Sequence, residues 1–252
     1  SSSALIVSWI NFLARMCDQS IILSPEVLAR YAYEAEVLEF SEPGGMMDQY
    51  STSFGGIIAI DFFPNTLVTR LDSKLKTFVL GNSNEPKDTM YILSNVKDRI
   101  LLIDRKLKQV DSKFSLQDTS LEELLKFKIN LSDSEITLLE GTIKNRDITR
   151  VARIELNKKE IDHKLIGALL NDHQKILRDV IGISTPKIDR MIESALKAGA
   201  YGAKINGSGG GGCMFAYAPE YPEKVKAAIE SEGGEAFIII SDSGSREESV
   251  EE

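Results

Sequence analysis

Asp48 lies between a Gly44-Gly45 approach and a Gly55-Gly56 exit, and a second segment, Lys204 to Cys213, carries five glycines in the six positions from Gly207 to Gly212. Glycine opens φ > 0 and removes the Cβ that would hold a ligand away from the backbone. Successive N–H groups in such a loop can converge on phosphate oxygens. The alternative use of these glycines is a flexible hairpin or a close backbone crossing. A run this dense, flanked by the apolar segments Tyr201 to Ile205 and Cys213 to Ala218, favours phosphate handling. No Gly-Lys-Ser/Thr follows, so it is neither a P-loop nor a dinucleotide fingerprint. The chemistry suggested is phosphoryl transfer, which asks for an anion cradle, a metal ligand and a group facing the acceptor hydroxyl.

Asp48 could take the proton of that hydroxyl or orient it while ionised. It could equally cap the short helix that follows. Gln49 and Tyr50 either contact substrate or fill the core. Ser83 reads as a turn-forming serine. Lys204 either serves the phosphates or flanks a strand, and His163 and His173, ten residues apart, form no metal pair.

Several elements must position these residues. Ala4 to Cys17 is patterned as a helix whose polar positions 8, 11 and 15 recur at helical spacing, leaving a broad apolar surface to be covered. Ser24 caps and Pro25 starts a second helix, to about Glu39. Asp48 to Phe54 reads as a short helix, followed by strands at 57–62, 67–71 and 77–80. Residues 86 to 180 are mostly amphipathic helix. The last third reads as helix (Pro186 to Gly199), strand, glycine loop, strand, helix (Pro222 to Glu232) and strand (Glu235 to Ser241). A four-stranded antiparallel sheet with helices on one face satisfies that order, giving an α+β fold.

Lys204 to Cys213 closely resembles the third motif of the GHMP small-molecule kinases, Lys-Leu-Thr-Gly-Ala-Gly-Gly-Gly-Gly-Cys, and Ser1-Ser2-Ser3-Ala4 resembles the tail of their second, Gly-Leu-Ser-Ser-Ser-Ala. Ala35-Glu36 followed by Gly45-Met46-Met47-Asp48-Gln49 is similar to the galactokinase-like branch, as are Phe78 to Asn84 and the run from Leu170-Asn171 through Ser184 and Asp189. The resemblance implies a two-domain GHMP-kinase architecture. Residues 1–72 would be part of a ribosomal-protein-S5-like N-terminal domain, 73–244 a ferredoxin-like C-terminal domain, and 245–252 a solvated acidic tail. It also implies ATP-dependent phosphorylation of a monosaccharide or sugar acid at the anomeric hydroxyl. A heptose phosphate or mevalonate acceptor, or a non-catalytic sugar- and nucleotide-binding relative, are the alternatives.

Site roles implied by the resemblance follow residue by residue. Asp48 faces the acceptor, with Gly45 and Gln49 beside the substrate. Ser1, Ser2, Ser3, Gly207, Ser208, Gly209, Gly210 and Gly211 bind the ATP phosphates. Ser3 and Glu36 hold Mg²⁺, which takes few protein oxygens and keeps water and phosphate as its other ligands. A side chain at Gly209 or Gly210 is expected to weaken ATP binding more than folding. The first residues match the middle of a motif, so the chain is expected to be an N-terminally truncated kinase, inactive alone, with an exposed apolar face on its first helix.

Composition sets outer bounds. The net charge of −8 argues against broad nucleic-acid binding. No apolar run suits a bilayer or a signal sequence. Cys17 and Cys213 suggest no disulfide framework, which makes a reducing cytoplasm the simplest compartment. Small-molecule sugar and ATP are the expected partners; oligomeric state is left open.

Overall fold

The computed structural model describes residues 2–42, 44–62, 64–71, 73–86 and 89–248, the backbone alone for 89–95. The chain divides into two compact units, one formed up to Ser73 together with the segment from Ser241, the other by Lys74–Ile240.

The first unit contains α1 (Ser2–Met16), α2 (Pro25–Tyr33), α3 (Met47–Phe54) and an antiparallel hairpin of β1 (Ile57–Asp61) and β2 (Leu67–Leu71). The Ser24 hydroxyl accepts from the Val27 N–H, and Pro25 takes a first-turn position where its missing N–H costs nothing. The second helix does not run regularly to Glu39. It widens into a π turn over Glu34–Leu38, an irregularity frequent at functional sites, and this one carries Glu36. Val7, Leu28 and Ala32 join α1 to α2. Ala29, Tyr50 and Phe54 join α2 to α3, with Ile58, Ile60 and Val68 of the hairpin packed against them.

Two expectations fail in this unit. Asn11, predicted on the polar side of α1, is buried, while Leu5, Trp9, Phe12, Leu13 and Met16 are exposed, as expected for the apolar surface of this helix. Asn11 Nδ2 donates to Ser245 Oγ at 3.0 Å, and Arg15 pairs with Glu247 at 2.6 Å. The segment from Ser241 is therefore not divided between the second domain and a free tail. It returns to the first unit, where the Gly56 N–H donates to the Asp242 carbonyl at 2.6 Å and the Ser245 N–H to that of Thr52 at 3.0 Å. Gly55 and Gly244 let the two backbones touch: a Cβ on Gly55 would stand 2.0 Å from the Gly244 nitrogen.

The second unit contains β3 (Phe78–Asn82), α4 (Thr89–Val110), a 3₁₀ stretch (Glu123–Asn130), α5 (Asp133–Leu156), α6 (His163–Ile176), a π turn (Leu177–Ile181), α7 (Pro186–Lys197), β4 (Gly202–Ile205), β5 (Cys213–Tyr217), α8 (Pro222–Ser231) and β6 (Glu235–Ile239). The strands form one antiparallel sheet in the order β4-β5-β3-β6, the ferredoxin-like arrangement. Alternation along β3, β4 and β5 sends Val79, Ala203, Ile205, Met214 and Ala216 into a core with Ile188 and Met191 of α7 and Ile229 of α8. A second core, with Leu107, Phe114, Leu139 and Ile143 at its centre, lies among α4, the 3₁₀ stretch and α5. A capping box of Ser132 and Glu135 opens α5.

Strand β4 is an edge whose free N–H groups need partners. Helix α6 supplies them through side chains: Asn171 Oδ1 accepts from the Ala203 N–H at 3.0 Å and Gln174 Oε1 from that of Ile205 at 2.9 Å. That fixes the strand entering the glycine loop.

Candidate active site

In the first unit, three residues singled out in the sequence meet on one nitrogen. Gln49, in the first turn of α3, is 2% exposed, and its Nε2 donates to Glu36 Oε2 at 2.6 Å and to Ser3 Oγ at 3.4 Å. Ser3 is buried in the first turn of α1, and Glu36 is half-buried on the π turn. The Gln49 side chain thus turns inward to Ser3 and Glu36, the buried placement that the sequence left open beside a substrate contact. Its Oε1 is buried without a hydrogen-bond partner.

Asp48, one residue earlier, is exposed and has no hydrogen-bond or ion-pair partner among the described residues. It does not cap α3, since Met46 occupies that position and no side chain caps the helix. Its place in the first turn suits a carboxylate, because the helix dipole favours negative charge there. Gly45 is exposed with φ outside the left-handed region, and a Cβ on it would meet nothing within 4 Å. Ser2 is exposed, and Ser1 lies outside the described residues.

The donors of the first unit suit a hard divalent cation. Ser3 and Glu36 offer a hydroxyl and a carboxylate to one point, and such oxygens leave the other positions of Mg²⁺ to water and phosphate. Among the described residues no cluster of three His, Cys, Asp or Glu side chains could hold a metal by itself.

In the second unit, every glycine of the loop has positive φ: 73° at Gly207, 84° at Gly209, 71° at Gly210, 124° at Gly211 and 71° at Gly212. L-residues rarely adopt such values, which explains the density of glycine. Not all its N–H groups face outward. The Gly210 N–H donates to the Ile183 carbonyl at 2.7 Å and that of Gly212 to Glu85 at 3.1 Å. Gly210, expected as a phosphate donor, therefore spends its amide on the fold. The N–H groups of Gly207, Gly209 and Gly211 have no hydrogen-bond partner among the described residues. Ser208 is half-buried.

Ser83, Glu85 and Thr185 brace the loop. Ser83, fully buried, accepts from the Glu85 N–H at 3.2 Å, the expected turn, and also donates to the Gly212 carbonyl at 2.7 Å. Thr185 caps α7 and donates to Glu85 Oε2 at 2.5 Å. Ser83 and Thr185-Pro186 carried sequence signals, of a turn and of a helix start, but neither signal pointed to the glycine loop. Lys204 does not reach toward the glycines: its ammonium lies 5.1 Å from the Phe215 ring centroid and donates to the Ile205 carbonyl at 2.7 Å. Burial lowers its pKa to about 8. Burial, and then the Lys204 charge, lower His173 to about 4. His163 Nδ1 lies 2.6 Å from the Tyr217 hydroxyl.

Comparison with known proteins finds relatives for both units. Residues 1–56 match the GHMP kinases N terminal domain and residues 153–236 the GHMP kinases C terminal domain. The mevalonate kinase of Thermococcus onnurineus is 45% identical over 96 residues, 36% of this chain and 28% of that protein. Human galactokinase is 27% identical over 253 residues, 96% of this chain and 62% of that protein. The chain thus spans less than two thirds of either relative. The crystal structure of Lactococcus lactis galactokinase complexed with galactose superposes with a TM-score of 0.78 at 20% identity, covering 97% of this chain and 66% of that one. Among the described residues no helix is long and apolar enough to cross a membrane. With both domains matched and the fold shared, the chain belongs to the GHMP kinase family.

Proposed function

We propose that the protein containing this chain transfers the γ-phosphoryl group of ATP to a hydroxyl of a monosaccharide or sugar acid, at the anomeric position. The observation that carries this reading is the first turn of α3. It exposes the unpartnered Asp48 carboxylate while Gln49 points inward to Ser3 and Glu36. Asp48 orients the acceptor hydroxyl and accepts its proton. Ser3 and Glu36 hold Mg²⁺, which when bound would neutralise charge on the transferred phosphate. The amides of Gly207, Gly209 and Gly211 cradle phosphate oxygens.

The sugar is favoured by Gly45-Met46-Met47-Asp48-Gln49, which is similar to the galactokinase pattern; mevalonate kinases more often carry Val-Asp-Asn at the last three positions. A mevalonate-type acceptor is the second reading, supported by the 45% identity to the Thermococcus onnurineus mevalonate kinase. Coupled ADP release, measured with the complete protein against galactose, other monosaccharides, uronic acids and mevalonate, separates them. Turnover with a sugar is expected. Turnover with mevalonate alone would replace the first reading by the second, and none with any acceptor would leave a binding protein.

A further inference from the structure

The buried Gln49 amide presents an imbalance. Its nitrogen is well used, donating to Glu36 and Ser3, while its oxygen has no partner although the residue is 2% exposed. Leaving a buried acceptor unpaired is unfavourable, because it has given up water and gained nothing in exchange. The opposite amide orientation would not cure this, because it would set Oε1 against the Glu36 carboxylate, an acceptor only. The amide has the right polarity for a carboxylate with no cation on it, and the wrong one as soon as a cation arrives.

A half-turn of the terminal amide suits the cation-bound state, since that torsion is broad and roughly two-fold. The N–H₂ end satisfies Glu36 and Ser3 when the cation is away. The Oε1 end then faces positive charge when it is bound, and the orphaned acceptor gains a partner. We propose that Gln49 is a positioning residue for a divalent cation held by Ser3 and Glu36: its amide keeps those oxygens turned to one point and reverses to offer Oε1 on cation binding. This rests on the assignment of Ser3 and Glu36 to Mg²⁺. It also explains why a residue beside the acceptor-facing Asp48 points away from the acceptor.

The probe is Mn²⁺ in the presence of ADP, with free metal read by electron paramagnetic resonance for the complete protein and its Gln49→Met, Gln49→Glu and Glu36→Gln variants. Losing an outer partner of a metal site typically costs about 10- to 100-fold in affinity, which is the expected effect of Gln49→Met. Gln49→Glu, which retains an oxygen, should bind Mn²⁺ at least as tightly as wild type. Unchanged affinity in Gln49→Met overturns the inference, as does a tenfold loss in Gln49→Glu, which decides the matter if Gln49→Met does not fold. Glu36→Gln separates the two levels. If it weakens binding while Gln49→Met does not, only the role of Gln49 falls. If Glu36→Gln also leaves binding unchanged, or wild type binds no Mn²⁺, the metal assignment falls and this inference with it.

Discussion

The two candidate sites, one in each unit, are made of different material. In the first unit the chemistry resides in side chains: Ser3, Glu36 and Gln49 converge by hydrogen bonding, and Asp48 stands free beside them. In the second it resides in the backbone: five glycines at positive φ, with Ile183, Glu85 and Ser83 fixing the N–H and C=O groups. Side-chain chemistry can be altered atom by atom with the fold intact. Backbone chemistry cannot, because the geometry that would hold the ligand is also the geometry of the fold.

The sharpest test of the side-chain half is Asp48→Asn in the complete protein. Asp48 is exposed and bonded to nothing among the described residues, so an isosteric amide leaves packing untouched. Turnover should fall about 10²- to 10⁴-fold, the usual contribution of a positioned acid or base. Nucleotide affinity and melting temperature should stay near wild type. Near-normal turnover would remove Asp48 from the mechanism, and a large drop in melting temperature would mean the half-site is not separable from its fold.

The backbone half should behave in the opposite way. Gly209→Val places a Cβ 2.6 Å from the Ile183 carbonyl oxygen at φ 84°, so folding and nucleotide binding should fail together. This revises the sequence-based expectation that binding would suffer more than folding. A residue forced into a sparsely populated φ/ψ region costs about 1–3 kcal/mol, before any clash. Gly45→Ala is the control: its Cβ meets nothing, and stability should not change measurably. Denaturant midpoints and calorimetric ADP affinity for both variants check this. A Gly209→Val protein of normal stability that had lost only ADP binding would break the contrast.

Much of this was legible in the sequence because its signals are local. Glycine density marked the loop, Thr185-Pro186 marked the start of α7, and the alternation of the last third gave the antiparallel sheet. What was not legible is non-local. Nothing in Gly210 says that its amide is taken by Ile183, and nothing in Asn11 says that Ser245, 234 residues away, will bury it. The inward turn of Gln49 was one of two open readings, since an amide beside a candidate catalytic carboxylate reads as a substrate contact or as core until the positions of Ser3 and Glu36 are known. The π turn at Glu34–Leu38 left no mark in the sequence pattern, which runs through it as a regular helix.

One titrating pair adjoins the backbone half, and it yields the smallest effect. Lys204 opens the segment leading to the glycine loop, and His173 is held by burial and by the Lys204 charge at a pKa of about 4, against 6.5 ordinarily. The native state therefore refuses a proton that the unfolded chain accepts. Stability from this source is complete above the unfolded value and is lost as pH falls from about 6.5 toward 4. Lys204, at about 8, stays protonated throughout that window, so its repulsion of a second charge persists. Glu135 and Glu155, held below the ordinary carboxylate range by hydrogen bonds to their neighbours, add to the slope only at lower pH. The interval from about pH 6.5 to 5 consequently isolates the histidine, each pKa unit corresponding to about 1.4 kcal/mol. His173→Gln, which cannot take the proton, should flatten the fall in urea midpoint across that interval while changing turnover little, because no role in the proposed reaction falls on His173. An unaltered slope would mean that His173 is protonated as easily in the folded protein as outside it, and that the strand leading into the glycine loop is more open to water than its burial implies.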